Sequence, residues 1–280
     1  MKYRHAFHAG NFADVHKHVT LLALLRALQR KDKGFLYLET HAGGGRYDLA
    51  AASANRQARA AVERVVSAPG PEPELADYAQ LIRSWRTEAP SAHAYPGSPL
   101  IAALALRAQD RAVLIELEPE QAHSLERSLP QGANAQVIIG DGFELLRAHL
   151  PPPERRGLML IDPPYEEPRA DQARIGAAIA EGLRRLQSLV IAVWYPIKDA
   201  RDTAAWLEQL QKRIAQETLV GELWLHPCDS RVALNGSGML IVNPPYGLAE
   251  RMPAWLAQLR SLLDREAHGG ESVRFRGNES

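Results

Sequence analysis

Asp162-Pro163-Pro164-Tyr165 closes the apolar run Gly157-Leu-Met-Leu-Ile161, and these residue types in this order suit the holding of an amino group on a planar ring. The Asp162 carboxylate and the Pro163 carbonyl can both accept hydrogen bonds from one exocyclic NH2, and the Tyr165 ring offers a face for stacking. The two prolines fix φ and stiffen the turn, so the acceptors stay aimed at one point. Methyl transfer to an amine needs such a fixture.

Other residues with chemical potential lie at the ends of other apolar runs. Gly34-Phe-Leu-Tyr-Leu38 leads into Glu39-Thr-His-Ala-Gly-Gly-Gly-Arg-Tyr47. Consecutive glycines after a strand let the backbone approach a ligand and adopt positive φ. The pattern is acidic-x-x-x-Gly-x-Gly and lacks both the G-x-G-x-x-G fingerprint and a Gly-Lys-Ser/Thr phosphate loop; a plain tight turn is the alternative. Arg111-Ala-Val-Leu-Ile115 ends at Glu116, and Gln136-Val-Ile-Ile139 ends at Gly140-Asp141-Gly142-Phe143. In an open parallel sheet the carboxyl ends of the strands border one crevice, so Glu116, Asp141 and Asp162 should converge with the Gly43–Gly45 loop. Glu116 is placed to accept from both ribose hydroxyls of a nucleoside, and Asp141 from an adenine amino group with Phe143 against the ring. Helix N-capping is the competing reading of each acid.

The first 18 residues form a third constellation: Tyr3-Arg4-His5, Phe7-His8-Ala-Gly-Asn11, Asp14 and His16-Lys17-His18. Zinc would want several ligands at set spacing, and neither H-E-x-x-H nor a Cys-His pattern is present, so no metal site is expected. A basic tail is one reading; the aromatic and Gly-Asn content favours a segment that folds over something. Lys17 and His18, early in a helix, could meet the carboxylate end of an amino-acid-like cofactor.

The elements that must position these residues follow α/β grammar. Val15, Val19, Leu22, Leu25 and Leu28 predict a helix over about 14–30. From 48 to 94 that grammar stops, and two amphipathic helices, 50–67 and 74–88, flank the breaker Pro69-Gly-Pro-Glu-Pro73. This insertion carries Arg56, Arg59, Arg64, Arg83 and Arg86, which form either a nucleic-acid contact or solvated helix faces. Alternation resumes with Ser98 as N-cap and Pro99 at the first helical position. It continues through strands 111–115, 136–139, 157–161, 189–194, 218–225 and 238–242 and helices at about 100–106, 121–129, up to 150, 171–186 and 199–216. The expected division is therefore 1–47, with the first strand and glycine loop; 48–94, the helical insertion; and 95–280, the rest of the core. A second tetrapeptide, Asn243-Pro-Pro-Tyr246, ends the last of these strands. Strand order favours Asp162, because Asn243 follows a late strand expected at or near a sheet edge.

Composition bounds the rest. The chain has 280 residues, 33 Lys+Arg against 33 Asp+Glu and 46% hydrophobic residues, which fits one large domain with an insertion, or two domains. Zero net charge requires any nucleic-acid surface to be a local patch. The single cysteine, Cys228, excludes a disulfide framework and an all-cysteine zinc site. With no apolar stretch of about 20 residues and no signal-peptide core, a cytoplasmic protein without membrane contact is expected.

Taken together, Tyr3-Arg-His-Ala-Phe-His-Ala-Gly-Asn-Phe-Ala-Asp-Val-His-Lys-His18, Thr40-His-Ala-Gly-Gly-Gly-Arg-Tyr47, Tyr95-Pro-Gly-Ser-Pro99 and Leu160-Ile-Asp-Pro-Pro-Tyr165 resemble the RlmJ family. These are bacterial ribosomal RNA adenine-N6 methyltransferases acting on the large subunit with S-adenosylmethionine. The resemblance spans nearly the whole chain, and its N-terminal string is far more specific than Asp-Pro-Pro-Tyr. It implies a Rossmann-like class I methyltransferase core with a small helical subdomain inserted after the glycine loop. It also implies that Lys17, His18 and His41 approach the methionine part of the cofactor and that Ser98 lines the same pocket. Gly43 and Gly45 would form the cofactor loop, Glu116 would hold the ribose, and Asp141 and Gly142 would meet the adenine. Asp162 would also border the cofactor and, with Pro163 and Tyr165, would be catalytic. Tyr3, with Arg4 and His5, would lie where the RNA nucleotide enters beside Tyr165. Glu39 departs from the family, in which Asp is the more usual acid at that point; the charge is kept, but direct contact by Glu39 is in doubt. The expected partner is 23S ribosomal RNA, and the expected state is a monomer. A DNA adenine-N6 methyltransferase is the alternative within the class. A nicotinamide-dependent dehydrogenase and a non-catalytic RNA-binding module are the alternatives outside it. The first gives no reason for Asp-Pro-Pro-Tyr, and the second none for three strand-end acids.

Overall fold

A computed structural model of the chain describes residues 9–50, 56–227 and 234–277. It is a three-layer α/β/α arrangement around an eight-stranded sheet. Five parallel strands form one side of it: β1 (Leu36–Glu39), and in chain order after a small ribbon, β4 (Arg111–Glu116), β5 (Ala135–Ile139), β6 (Gly157–Ile161) and β7 (Val190–Ile197). Apolar residues run without break along β1, β4 and β6 because both faces are covered. Side chains alternate between the two layers: Tyr37, Leu114 and Leu160 enter one core cluster, while Leu38, Ile115 and Ile161 enter the other.

The strand order is β10-β8-β9-β7-β6-β1-β4-β5, with β8 spanning Thr218–Trp224, β9 Gly236–Val242 and β10 Gly270–Arg276. From β1 the chain moves outward to β4 and β5, then returns to the other side of β1 for β6 and β7. The switch point therefore lies between the carboxyl ends of β1 and β6. Strand β9 runs antiparallel to both β7 and β8, and Val242 sits beside Ile191 near the start of β7. Asn243 is accordingly at the opposite end of the sheet from Asp162. The expectation that its strand lies near a sheet edge is corrected, since β9 is interior. Its side-chain amide donates to the carbonyls of Gln187 and Leu189, both at 2.8 Å. The two look-alike tetrapeptides also differ in conformation: the left-handed residue is Tyr165 (φ 54°) in one and Asn243 (φ 53°) in the other.

Helix α1 (Phe12–Gln29) is buried on nearly every face, from Val15 and His16 to Leu24 and Leu25. A helix apolar all round has no solvent side to present. Here β9 lies against it, and the inserted helices α2 (Arg56–Val66) and α3 (Pro73–Arg86) cover it from outside. The insertion is rooted by an antiparallel ribbon that the sequence pattern did not reveal, β2 (Arg46–Asp48) against β3 (Ala94–Pro96). Its Val62, Val65, Tyr78 and Ile82 join the same cluster as Leu21 and Leu25, so the insertion shares the core's packing. Arg26–Asp77 at 2.8 Å ties α3 to α1. Three of the insertion's arginines are spent on its own backbone and neighbours. Arg83 donates to the Val66 carbonyl at 2.6 Å, Arg86 to that of Ala94 at 3.1 Å, and Arg59 reaches His93 at 3.1 Å.

The remaining helices are α4 (Ser98–Ala105), α5 (Pro119–Ser128), α6 (Gly142–His149), α7 (Pro168–Arg185), α8 (Ala200–Gln211) and α9 (Leu248–Leu263). Gly97, in extended backbone, is the N-cap of α4, so Ser98 falls inside the helix and not at the cap as expected. Strand β10, absent from the sequence reading, alternates Val273 and Phe275 with charged residues along an edge of the sheet. No helix among the described residues is long and apolar enough to cross a membrane.

Candidate active site

The second turn of α1 delivers Lys17 to the end of β6. Asn11 caps the helix by accepting from the Asp14 amide at 2.9 Å, and Asp14 accepts from the Gly10 amide at 3.0 Å. This leaves Asp14 facing along the helix to Lys17, whose ammonium lies 2.8 Å from Asp14 and 2.5 Å from Asp162 Oδ2. Burial works against the Lys17 charge, yet the two carboxylates hold its ammonium well above the ordinary lysine value. A lysine kept charged between two carboxylates, one of them in the Asp-Pro-Pro-Tyr turn, is the electrostatic centre of the crevice.

Beside it, β1 ends in a polar network. Glu39 is fully buried; it accepts from the Ser98 hydroxyl at 2.5 Å and from the Tyr37 hydroxyl at 2.8 Å. Burial pushes its carboxyl up to about 8, against the pull of those two donors. Ser98 is thus oriented by Glu39, a role that its type alone does not disclose. Next, the Thr40 hydroxyl lies 2.8 Å from His41 Nδ1, and the His41 ring meets the edge of Phe143 with centroids 4.8 Å apart.

The glycine loop and the second strand are locked together. Glu116 accepts from the Gly43 amide at 2.6 Å and from the Glu118 amide at 2.9 Å. Gly43 and Gly45 take left-handed φ of 68° and 77°, which favours glycine. A Cβ on Gly142 would lie 2.0 Å from the Thr40 carbonyl oxygen, so the start of α6 can cross the end of β1 only without a side chain.

Three expected site residues have partners that the sequence reading did not foresee. Asp141 caps α6 by accepting from the Phe143 amide at 2.9 Å, and its other oxygen meets Arg174 at 2.5 Å. Arg174 also lies 4.4 Å above the Phe143 ring. The capping alternative for Asp141 is therefore what the geometry displays; an adenine contact would have to share this carboxylate with Arg174. Tyr165 is only 6% exposed, its hydroxyl donating to the Trp194 carbonyl at 2.6 Å and its ring in edge contact with the Trp194 indole at 5.7 Å. The expected open stacking face is not offered in this conformation, because the left-handed Tyr165 backbone turns the ring inward. His18 is likewise buried, with Nδ1 2.7 Å from the Tyr95 hydroxyl. Tyr3, Arg4, His5 and Cys228 lie outside the described residues.

Asp14 and Glu39, noted in the sequence without an assigned role, and Trp194 and Arg174, which were not singled out, also join the site. Trp194 had a signal: it is an aromatic near the end of a parallel strand that flanks β6. Leu117, 60% exposed directly after Glu116, is an apolar neighbour at the same strand end. Among the described residues no group of three or more His, Cys, Asp or Glu is arranged to hold a metal.

The buried histidines carry a pH dependence. Burial lowers both His16 and His18 from 6.5 to about 3. Between those values the unfolded chain binds protons that the folded chain refuses, so this stability is complete above pH 6.5 and is lost as pH falls toward 3. From pH 7 to pH 5 the two together should cost on the order of 4 kcal/mol. Urea unfolding of the wild type and His16→Leu at both pH values checks this: the variant should shed about half of that pH dependence. An unchanged dependence would show that water reaches the His16 ring.

Parallel strands ordered around a switch point, an antiparallel strand beside β7, strand-end acids and a glycine loop make a Rossmann-like α/β fold, the class on which S-adenosylmethionine-dependent methyltransferases are built. Sequence comparison narrows the class. Residues 32–276 match the family described as Ribosomal RNA large subunit methyltransferase D, RlmJ, and the chain belongs to that family. It is 38% identical over 277 residues to Ribosomal RNA large subunit methyltransferase J of Escherichia coli (strain K12), covering 98% of each chain. Its identity to the protein of the same name from Haemophilus influenzae is 36% over 277 residues, again with 98% of each covered. A crystal structure of a Legionella pneumophila protein superposes with a TM-score of 0.84 at 33% identity, covering 98% of this chain and 99% of that one.

Proposed function

We propose that the protein methylates the exocyclic N6 of an adenine in 23S ribosomal RNA, with S-adenosylmethionine as donor, and that Asp162 is the catalytic group. The observation that carries this reading is the Lys17–Asp162 pair at the switch point, on the turn whose acceptors suit an NH2. The residues present fit the cofactor. Glu116 supplies a buried carboxylate at the second strand end, Gly43 and Gly45 turn the buried loop after β1 in left-handed conformation against it, and Gly142 lets α6 start directly over the end of β1. Glu116 would hold the ribose, Leu117 and Phe143 would flank the adenine, and His41, Ser98 and Lys17 would meet the methionine part. The cofactor, when bound, supplies an electrophilic methyl group on a sulfonium centre.

The chain's own residues do the rest. An adenine in a helix must first leave its stack. Its N6 lone pair is delocalised into the purine; acceptors at Asp162 and the Pro163 carbonyl draw the NH2 hydrogens out of plane and return that pair to nitrogen. The reacting atoms need to lie about 3 Å apart and in line, which the stiff turn enforces. Asp162 Oδ can then take the proton released from N6. Asp14 gives Lys17 a second partner, so the ammonium need not leave the interior when Asp162 engages the base. The protein acts on RNA as a monomer in this reading.

The test is methyl transfer from labelled S-adenosylmethionine to transcribed 23S RNA and to DNA of matching sequence, with digestion to nucleosides. Label in N6-methyladenosine from RNA alone is the expected result. Label in DNA alone would turn the reading to the DNA alternative. Binding of NADH without binding of S-adenosylhomocysteine would turn it to a dehydrogenase.

A further inference from the structure

Of the His16-Lys17-His18 run the proposed reaction uses only Lys17, and His16 leads to a second polar chain behind the crevice. Strands β7 and β9 pair with Trp194 opposite Met239, so Ser237 lies diagonally across from Trp194 on the same face. The Trp194 indole N–H donates to Ser237 Oγ at 2.9 Å. Ser237 is fully buried, and its Oγ is also 3.0 Å from His16 Nδ1 and 3.5 Å from the Ala13 carbonyl. The hydroxyl thus accepts from the indole and has two places for its own proton. On its other side the indole faces the reaction centre: the Lys17 ammonium is 5.7 Å from its ring centroid, and the Tyr165 ring meets it edge-on. Trp194 therefore touches both partners that frame Asp162, the lysine that pairs with it and the tyrosine that ends its turn.

We propose that Ser237 and Trp194 are positioning residues for methyl transfer: the Ser237 hydroxyl locks the indole, and the indole holds Lys17 and Tyr165 in the register that aims Asp162. This rests on the reading of Asp162 as the catalytic group. The physical reason is the cost of an unpaired donor. Without Ser237 Oγ, the indole N–H of this half-buried side chain must stay unsatisfied or turn toward another acceptor, and that rotation moves the surface against which Lys17 and Tyr165 rest. Small displacements of a reacting constellation cost up to about 100-fold in rate.

Ser237→Ala should lower kcat about tenfold, with the KM for RNA and the Kd for S-adenosylmethionine each changing by less than about threefold. Trp194→Phe keeps an aromatic ring but loses the N–H together with the outer part of the bicycle; it should show at least a similar loss. The double variant should be no slower than the slower single variant, because both remove one hydrogen bond. In protein labelled with 15N-tryptophan, the indole N–H resonance that vanishes in Trp194→Phe should move in Ser237→Ala, and Ser237→Cys should recover part of kcat through its weak acceptor. If Ser237→Ala does not fold, Trp194→Phe alone carries the kinetic test. Wild-type kcat in the folded variants, or losses that multiply in the double variant, would overturn the proposal. Should Asp162→Asn be inactive while Ser237→Ala turns over normally, only this inference fails; an active Asp162→Asn removes the functional reading itself.

Discussion

Asp162→Asn should reduce methyl transfer by about a thousandfold or more while leaving S-adenosylmethionine affinity within about threefold, since the group acts on the acceptor amine and not on the donor. Two effects combine in this estimate. A positioned acceptor of charge or protons typically contributes 10²–10³ in rate, and a positioned proton acceptor about 10²–10⁴; the two overlap when one carboxylate does both. Asn keeps the shape and one acceptor oxygen but cannot take a proton from N6. It also replaces a charged partner of Lys17, whose ammonium retains Asp14 at 2.8 Å, so the buried lysine is not stranded. Asn is for that reason the cleaner substitution than Ala, which would empty the space beside the ammonium. Isothermal titration with S-adenosylhomocysteine, beside single-turnover methylation, separates the two quantities. Wild-type turnover by Asp162→Asn would refute the catalytic assignment, and a loss confined to cofactor affinity would move Asp162 from the reaction to the binding site.

The second large effect belongs to a residue with no side chain. Gly142→Ala should destabilise the protein by about 1–3 kcal/mol and abolish most cofactor binding. The new Cβ would fall 2.0 Å from the Thr40 carbonyl oxygen and 2.7 Å from its Cα, and these are backbone atoms that cannot rotate away. Either α6 or the end of β1 must shift, and both carry site residues: Asp141 and Phe143 on one side, His41 and the glycine loop on the other. Gly176→Ala is the control. It lies within α7, where the nearest neighbour to a new Cβ is Leu210 Cδ1 at 3.6 Å, an ordinary contact. That change should be neutral or stabilising by up to about 1 kcal/mol, from helix propensity. Thermal unfolding and cofactor titration of both variants test the pair. Equal stability for Gly142→Ala and the wild type would mean that the crossing of α6 over β1 is looser than described.

Much of the site was legible because its signals are local. Glycines at 43 and 45, an acid after each of three apolar runs, and two prolines after Asp162 depend only on neighbouring residues and on backbone sterics. The structure places them at the carboxyl ends of adjacent parallel strands, with Glu116 bonded to the Gly43 amide. What could not be read was the competition for each polar atom. Asp141 was expected to face a ligand or to cap a helix, and it caps α6 while its other oxygen pairs with Arg174, a partner not foreseen; Tyr165 was expected to offer its face and turns against Trp194. Ser98 was expected to cap α4 but lies one residue inside it, bonded to Glu39. In each case the partner comes from another element, and its distance in sequence hides it: 33 residues for Asp141 and Arg174, 29 for Tyr165 and Trp194, 59 for Ser98 and Glu39.

The sequence by itself determined the alternation of strands and helices, the interruption after the glycine loop and the residue types available for an amine-directed transfer. These follow from periodicity, turn chemistry and strand-end position, which act over a few residues. The tertiary structure alone decided that β9 runs antiparallel in the interior of the sheet. That direction puts Asn243 at the far end from the crevice and leaves Asp162 as the tetrapeptide acid beside Lys17. It also decided that α1 is buried on both sides, which drives Lys17 between two carboxylates and keeps its charge. Strand direction and burial are set by which distant surfaces must be covered together, and two tetrapeptides of nearly the same spelling carry no record of that.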